Sequence, residues 1–190
     1  MKHKADRRIV VLVSTLALLL LAGCASVPNQ PFTAYVEREK IHLKVAVNIT
    51  DELRKVKTDK WNIPIGISIA TNTPVFARHV FDDVVDISNG QLPPNETVGA
   101  ILTPKIVYTA RTEGATGGGE SILDIKVEWT LSDTNGNTIW VNTIDGRNNA
   151  TNGTGSKEVS RKALEDLLLK SQQAISSAPA IKQFVQKQSP

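Results

Sequence analysis

Few side chains in this 190-residue chain are of types that commonly carry out covalent chemistry. Cysteine occurs once, as Cys24, and a cysteine thiolate is a strong nucleophile. A single cysteine cannot form a disulfide within its own chain. Beyond the first 23 residues the histidines are His42 and His79, and no serine-hydrolase, zinc-protease or paired-cysteine motif accompanies them. Cys24 is therefore the first residue to consider for chemistry.

The residues before Cys24 have the layout of an export signal. The chain opens with four basic residues, Lys2, Lys4, Arg7 and Arg8. An apolar run of 13 residues follows, from Ile9 to Leu21, and then the small residues Ala22 and Gly23. This order is typical of a signal peptide. A transmembrane helix would need about 20 apolar residues, which this run does not reach.

The sequence Leu21-Ala22-Gly23-Cys24 resembles the lipobox of bacterial lipoproteins. The resemblance implies a diacylglycerol on the Cys24 thiol and cleavage before it, so that residues 1–23 are removed. Because two or more acyl chains anchor a protein stably, the attachment would be permanent. The next residue is Ala25 rather than Asp, which in this family implies sorting to the outer membrane. We expect a lipid anchor at Cys24 in the outer membrane, with the protein facing the periplasm.

Removal of the leader also changes the charge balance. The full chain has a formal net charge of +3 and a pI of about 9.0. Residues 1–23 hold four of the basic side chains and one of the acidic ones, which leaves 18 of each sign. The basic pI thus belongs mostly to the leader, and a nucleic-acid partner is not expected.

The remaining 167 residues are enough for one domain with a sizeable core. Residues 24–34 include Pro28 and Pro31 among polar residues and are predicted to form a tether with a reach of about 30 Å. Residues 35–190 are predicted to form the periplasmic domain.

Alternation of apolar and polar residues predicts the strands. It is clear from Ile41 to Ile49 and from Leu123 to Leu131, and weaker around the acidic segment Asp82–Ile87. The segment 98–112 is also β-prone, and Pro104 within it predicts an edge position or a bulge. Asn135-Gly136 predicts the turn of a β-hairpin whose second strand is 138–147.

Apolar residues at helical spacing predict a long helix from Ser156 to Ala178 and a short one from Pro179. A further helix is predicted to end near Phe81, with its start at either Gly66 or Pro74. The charged segment 51–60 is predicted to be a connection. We expect an α+β fold: a single mixed or antiparallel sheet with helices packed on one face, preceded by a cleaved lipoprotein signal peptide.

Several stretches of this domain share features with one group of bacterial proteins: Ile63–Val85, Ala100–Ile106, Val127–Gly136 with Ile139, Trp140 and Gly146, and Ser160–Leu164. They resemble small periplasmic lipoproteins of the YajG-like and ABC-transport auxiliary group. The resemblance covers most of residues 40–185 and brings no catalytic motif. Related folds occur in lipopolysaccharide-transport, curli-export and peptidoglycan-synthase-activator lipoproteins, so the fold alone does not choose a function.

Two further clusters could carry chemistry. The aspartates 82, 83 and 86, with His79 nearby, could bind a divalent metal, but such sites need oxygens from several loops, so a solvated acidic face is expected. Asp124 and Glu128 could form a glycosidase-type pair, but they lie on the polar face of a strand. We therefore expect no enzyme, no metal and no cofactor.

The expected function is that of a non-enzymatic accessory or assembly factor, anchored at Cys24 and bound to an envelope protein complex. Trp140 is predicted to lie in the core or against a helix, or else to contact a partner. The alternative is a lipid- or glycan-binding module. It predicts an apolar groove between the sheet and the helix Ser156–Ala178, lined by residues such as Trp140.

Overall fold

The computed structural model describes residues 35–188, except 37, 60–61, 114–120 and 151–155. The predicted leader (1–23) and tether (24–34) lie outside the described residues. The strands are β1 (Ile41–Ile49), β2 (Phe81–Ser88), β3 (Ala100–Glu113), β4 (Ser121–Ser132) and β5 (Thr138–Ala150). The helices are α1 (Asp51–Lys55), α2 (Ile65–Arg78), α3 (Ser156–Ser177) and α4 (Pro179–Gln188).

The five strands form one sheet in the order β2-β1-β3-β4-β5. β1 is parallel to both of its neighbours, β2 and β3, whereas β4 is antiparallel to both of its neighbours, β3 and β5. The predicted α+β fold with a single sheet is confirmed, and of the two sheet types that were expected the mixed one is right. Parallel pairing follows from the crossovers that bring β2 and β3 to opposite sides of β1.

The two faces of the sheet differ along β1. Its buried residues Leu43, Val45, Val47 and Ile49 belong to the core under the helices. On the opposite face, residues 89–99 cross over β1. Lys44 Nζ lies 2.8 Å from Glu96 Oε2, and the Gly90 amide donates to Asn48 Oδ1 at 2.7 Å. The connection from β2 to β3 is therefore fixed to the outer face of the central strand.

The core is centred on β4 and α3. The inward residues of β4 are fully buried: Leu123, Ile125, Val127, Trp129 and Leu131. The Trp129 ring lies 5.2 Å from that of Phe76 in α2. On the helix side the buried stripe consists of Val159, Ala163, Leu164, Leu167, Leu168 and Ile175, as the helical spacing predicted.

The region between β1 and β2 differs from the prediction in two respects. The helix that was expected to end near Phe81 ends at Arg78, and Phe81 is the first residue of β2. The reason is a tight exit, in which the amides of His79 and Val80 donate to carbonyls only three residues back. Of the two predicted starts, Gly66 is one residue after the observed start of α2 at Ile65, whereas Pro74 lies inside the helix.

The segment predicted as a charged connection contains the short helix α1. The Leu53 amide donates to Thr50 Oγ1 at 3.1 Å, which caps the first turn. Leu53 itself is buried in the core. The cap, this one core side chain and hydrogen bonds between Asp51 and Asn89 hold the helix. One apolar side chain in five residues is too few to produce a periodic pattern.

Candidate functional site

The predicted lipidation site, Cys24 with Leu21, Ala22 and Gly23 before it, lies outside the described residues and stays a prediction. In the described part of the chain, no helix combines the length and the apolar character needed to cross a bilayer.

The chain enters the domain at Tyr35 and Val36, which contact the helix layer. The Val36 amide donates to Gln172 Oε1 at 3.2 Å, and Gln172 Nε2 donates to the Val36 carbonyl at 2.7 Å. Gln172, in α3, is buried. The Tyr35 ring stacks on His79 with a centroid distance of 4.4 Å, and burial raises the pKa of the Tyr35 hydroxyl. The point at which the N-terminal segment leaves the domain is therefore fixed.

Trp140 lies on β5 opposite Leu131 of β4, on the face that carries the helices. It is half-buried and packs against the hydrophobic core. A large part of the ring is thus in contact with the core of the domain. Its role as a partner contact stays a prediction.

A groove lies where β3 extends beyond β1. β1 pairs with β3 only at residues Ala100–Leu102. Among the described residues, no strand pairs with β3 on that side from 103 to 112. Between this part of β3 and α1 is a cavity of about 340 Å³, whose walls include Leu53, Val56, Thr103, Pro104, Lys105 and Ile106. We call this cavity the β3 groove. Its walls are mainly apolar.

The strand beside the groove presents apolar side chains to solvent. Val107 and Tyr108 are 45% and 48% exposed. The register with β4 shifts between Ile106 and Tyr108, which is a bulge. Pro104 is in regular register with Trp129 and, among the described residues, has no strand on its other side, so of its two predicted positions the edge is right. Lys126 Nζ lies 5.5 Å from the centre of the Tyr108 ring. An unpaired strand edge beside an apolar pocket can accept an extended chain through backbone hydrogen bonds.

The strand at the opposite edge, β5, is partly capped by α3. The Arg147 amide donates to Asp166 Oδ2 at 3.0 Å, and Lys170 Nζ donates to the Asp145 carbonyl at 3.2 Å. Backbone groups that would otherwise be open at this edge are thus satisfied within the domain. This distinguishes β5 from the open part of β3.

The predicted acidic cluster on β2 is paired with basic side chains. His42 Nδ1 lies 2.6 Å from Asp82, Lys44 Nζ 3.2 Å from Asp83, and Arg78 Nη2 3.0 Å from Asp86. Within the described ranges, no group of three or more metal-ligating side chains converges on one point. These carboxylates therefore form ion pairs across the surface.

The other carboxylates considered for chemistry are not brought together. Asp124 and Glu128 are four residues apart on β4, which places their Cα atoms about 13 Å apart. Glycosidase pairs are separated by only about 5–10 Å between carboxyl groups. Asp124 is paired with Arg147 at 3.3 Å. Their arrangement is that of a solvated strand face.

A second cavity, of about 490 Å³, lies next to the point where the chain enters the domain. Residues 38–42 form one side, and Ser176 of α3 with Lys182, Val185 and Gln186 of α4 form the other. We call it the entrance cleft. It carries the cations Arg38, Lys40 and Lys182.

Sequence reasoning did not identify the β3 groove or the entrance cleft. One signal was present for the groove, because Thr50-Asp51-Glu52 is an N-cap followed by acidic residues, which is typical of a helix start. The entrance cleft joins residues more than 130 positions apart, and no local pattern indicates such a site.

The chain resembles several solved structures, and the first of these supports the fold. A DUF330-family protein from Xanthomonas campestris superposes with a TM-score of 0.54 at 10% identity, covering 85% of this chain and 96% of that one. A minor lipoprotein from Acinetobacter baumannii gives a TM-score of 0.43 at 13% identity, covering 73% and 94%. PelC from Paraburkholderia phytofirmans, a dodecamer, gives 0.42 at 18%, covering 77% and 93%. No family model and no curated protein matches the sequence.

Proposed function

We propose that the protein is a bacterial envelope lipoprotein, anchored through Cys24 in the outer membrane and facing the periplasm. It acts as a non-enzymatic accessory or assembly factor that binds a protein of an envelope complex. The proposal rests on the signal layout that ends at Cys24, on the predicted short tether, and on the resemblance to the YajG-like and ABC-transport auxiliary group.

The observation that carries the binding role is the open part of β3 beside the β3 groove. An extended partner segment would add to the sheet there, in the position that β1 occupies at 100–102. Alternate side chains of that segment would point towards the groove, with Leu53 and Ile106 in its walls. The backbone would supply affinity and the groove would supply selectivity.

The alternative role, as a lipid- or glycan-binding module, required an open groove between the sheet and α3. That space is filled by side chains, since Val159, Leu164, Leu167 and Leu168 are at most 1% exposed. Trp140 packs against the same core. The packing at this position favours the protein-binding role over a groove for a lipid tail or a glycan.

The test is site-specific photocrosslinking in intact cells, followed by mass spectrometry of the joined proteins. The photoreactive residue replaces Val107 at the open edge, or Thr143 on the outer face of β5 as a matched control. We expect one envelope protein to be joined at 107 and not at 143. Cys24→Ser, which removes the anchor, should abolish this product. Equal capture at both positions, or no protein product at 107, would contradict the assignment.

A further inference from the structure

The entrance cleft is a cationic surface at the start of the domain. Arg38, Lys40 and Lys182 are exposed, and within the described part of the chain none of them forms an ion pair. Glu39 is the acidic residue of the cleft, and His42 at its edge is bonded to Asp82. The cleft therefore carries three positive charges and, apart from the paired Asp82, one negative charge, that of Glu39.

The chemistry of these side chains suits a phosphate group. A guanidinium can donate two parallel hydrogen bonds to phosphate oxygens, and an ammonium group interacts with phosphate as a point charge. Ile41 and Val185 line the same cleft and are half-buried, so an apolar surface lies beside the cations. A ligand with a phosphate and an adjoining apolar part fits this arrangement.

The cleft is also the part of the domain nearest along the chain to the predicted anchor. Arg38 follows Cys24 by 14 residues, which span at most about 50 Å when fully extended. A short tether keeps the concentration of membrane headgroups around the cleft high.

We propose that the entrance cleft binds the phosphates of anionic phospholipid headgroups in the membrane to which Cys24 is attached. The inference rests on the proposed anchoring, which it extends. The cleft lies at the first residues of β1, whereas the β3 groove begins at Thr50, just beyond its last residue. The two ends of β1 are about 26 Å apart. Headgroup binding would thus hold the β3 groove away from the bilayer.

The test uses the lipidated full protein carrying Gln183→Cys, an exposed position of α4 outside the walls of the cleft. A lipidated Cys24 leaves the new cysteine as the free thiol. A fluorophore on it is quenched by nitroxide-headgroup lipid in vesicles of phosphatidylcholine alone or mixed with phosphatidylglycerol. We expect strong quenching only with phosphatidylglycerol, and weakening as salt is added. Arg38→Ala/Lys40→Ala/Lys182→Ala should lower the ratio of docked to undocked protein by roughly 100-fold.

The matched control, Lys55→Ala/Lys57→Ala/Lys126→Ala, makes the same change in charge away from the cleft and should behave as the parent. All six positions are exposed, so both variants are expected to fold, and thermal unfolding checks this. Quenching that is equal in the two kinds of vesicle, or unchanged in the cleft variant, would overturn the inference. So would perturbation of Arg38 and Lys40 NMR signals by inorganic phosphate without any response to phosphatidylglycerol vesicles.

Mass spectrometry of the purified protein separates the two proposals. If Cys24 carries no lipid, the anchoring proposal fails, and co-sedimentation of the unanchored protein with the same vesicles decides the inference. Sedimentation that needs phosphatidylglycerol and is lost in the cleft variant supports headgroup binding. The absence of such sedimentation overturns it.

Discussion

Gly146 allows α3 to approach β5 closely. A Cβ atom built on this residue would lie 2.4 Å from the Ala163 carbonyl oxygen and 2.4 Å from Leu167 Cβ. One of these partners is helix backbone, which cannot rotate away. The close packing of α3 on β5 therefore requires glycine at position 146, although a strand position would otherwise favour a larger side chain.

We expect Gly146→Ala to lower the free energy of unfolding by about 1–3 kcal/mol, because the added methyl group overpacks the contact between α3 and β5. Chemical denaturation monitored by tryptophan fluorescence measures the change. Thr143→Ala, on the exposed face of the same strand, should shift the midpoint much less. A stability equal to that of the parent protein would show that α3 can move away at little cost.

The pair of His42 and Asp82 gives a prediction for pH. The hydrogen bond that His42 Nδ1 donates to Asp82, together with the negative charge of Asp82, raises the pKa of His42 above its ordinary value of 6.5. Because the fold favours the protonated imidazole, the stabilising contribution is complete below that ordinary pKa. It is lost as the pH rises through the higher pKa of the folded state.

NMR titration of the His42 ring measures this shift directly. Asp82→Asn should return the pKa of His42 towards 6.5. Asp83→Asn removes a neighbouring carboxylate that is paired with Lys44 instead, and should leave the titration unchanged. A response to both substitutions would mean that the general charge of β2 controls His42.

At the scale of elements, α1 is the short helical wall of the β3 groove, and Asp51 at its start is hydrogen-bonded to Asn89. It has five residues, one cap from Thr50 and one core side chain, Leu53. Thr50→Ala removes the cap and should cost about 1 kcal/mol. Hydrogen exchange should then be faster at the amides of α1 while β4 stays protected. Uniformly faster exchange across both elements would indicate that α1 unfolds only with the whole domain.

The strands and long helices were predictable because their patterns are local. β1 alternates except at Ala46, and the hairpin of β4 and β5 has its turn residues. Asp133 Oδ1 accepts from the amides of Asn135 and Asn137, and Gly136 has φ of +86°. Such a turn is determined within five residues. The end of α2 was placed too late because Val80 and Phe81 continue the apolar character of the helix into β2.

The partners of the strands were not predictable in the same way. Alternation shows that β1 has one buried face, but not that β2 and β3 flank it in parallel. The β3 groove exists because β1 has nine residues and β3 has fourteen, so β3 continues beyond its neighbour. The difference in length between β1 and β3 predicts a groove only if the two strands are already known to be neighbours in the sheet.

At the scale of the whole molecule, Cys24 and Ala25 together determine the expected location. We expect Cys24→Ser to release the protein from the membrane fraction, because the thiol that would carry the lipid is gone. Ala25→Asp should keep the protein membrane-bound but move it to the inner membrane. Separation of the two membranes by density, followed by immunoblotting, measures both changes. Retention of the Cys24→Ser variant in the outer membrane would contradict lipid anchoring.

The bidentate contact between Gln172 and Val36 has a mechanical consequence. If the protein is anchored through Cys24 and binds a partner, as proposed, then movement of the envelope relative to that partner applies tension to the domain through its N-terminal segment. The force reaches the two hydrogen bonds to Gln172 before it reaches Ile41, the first residue of β1. The force is thus transmitted to α3, which is packed along the sheet. It does not act directly on the hydrogen bonds that join β1 to its neighbouring strands.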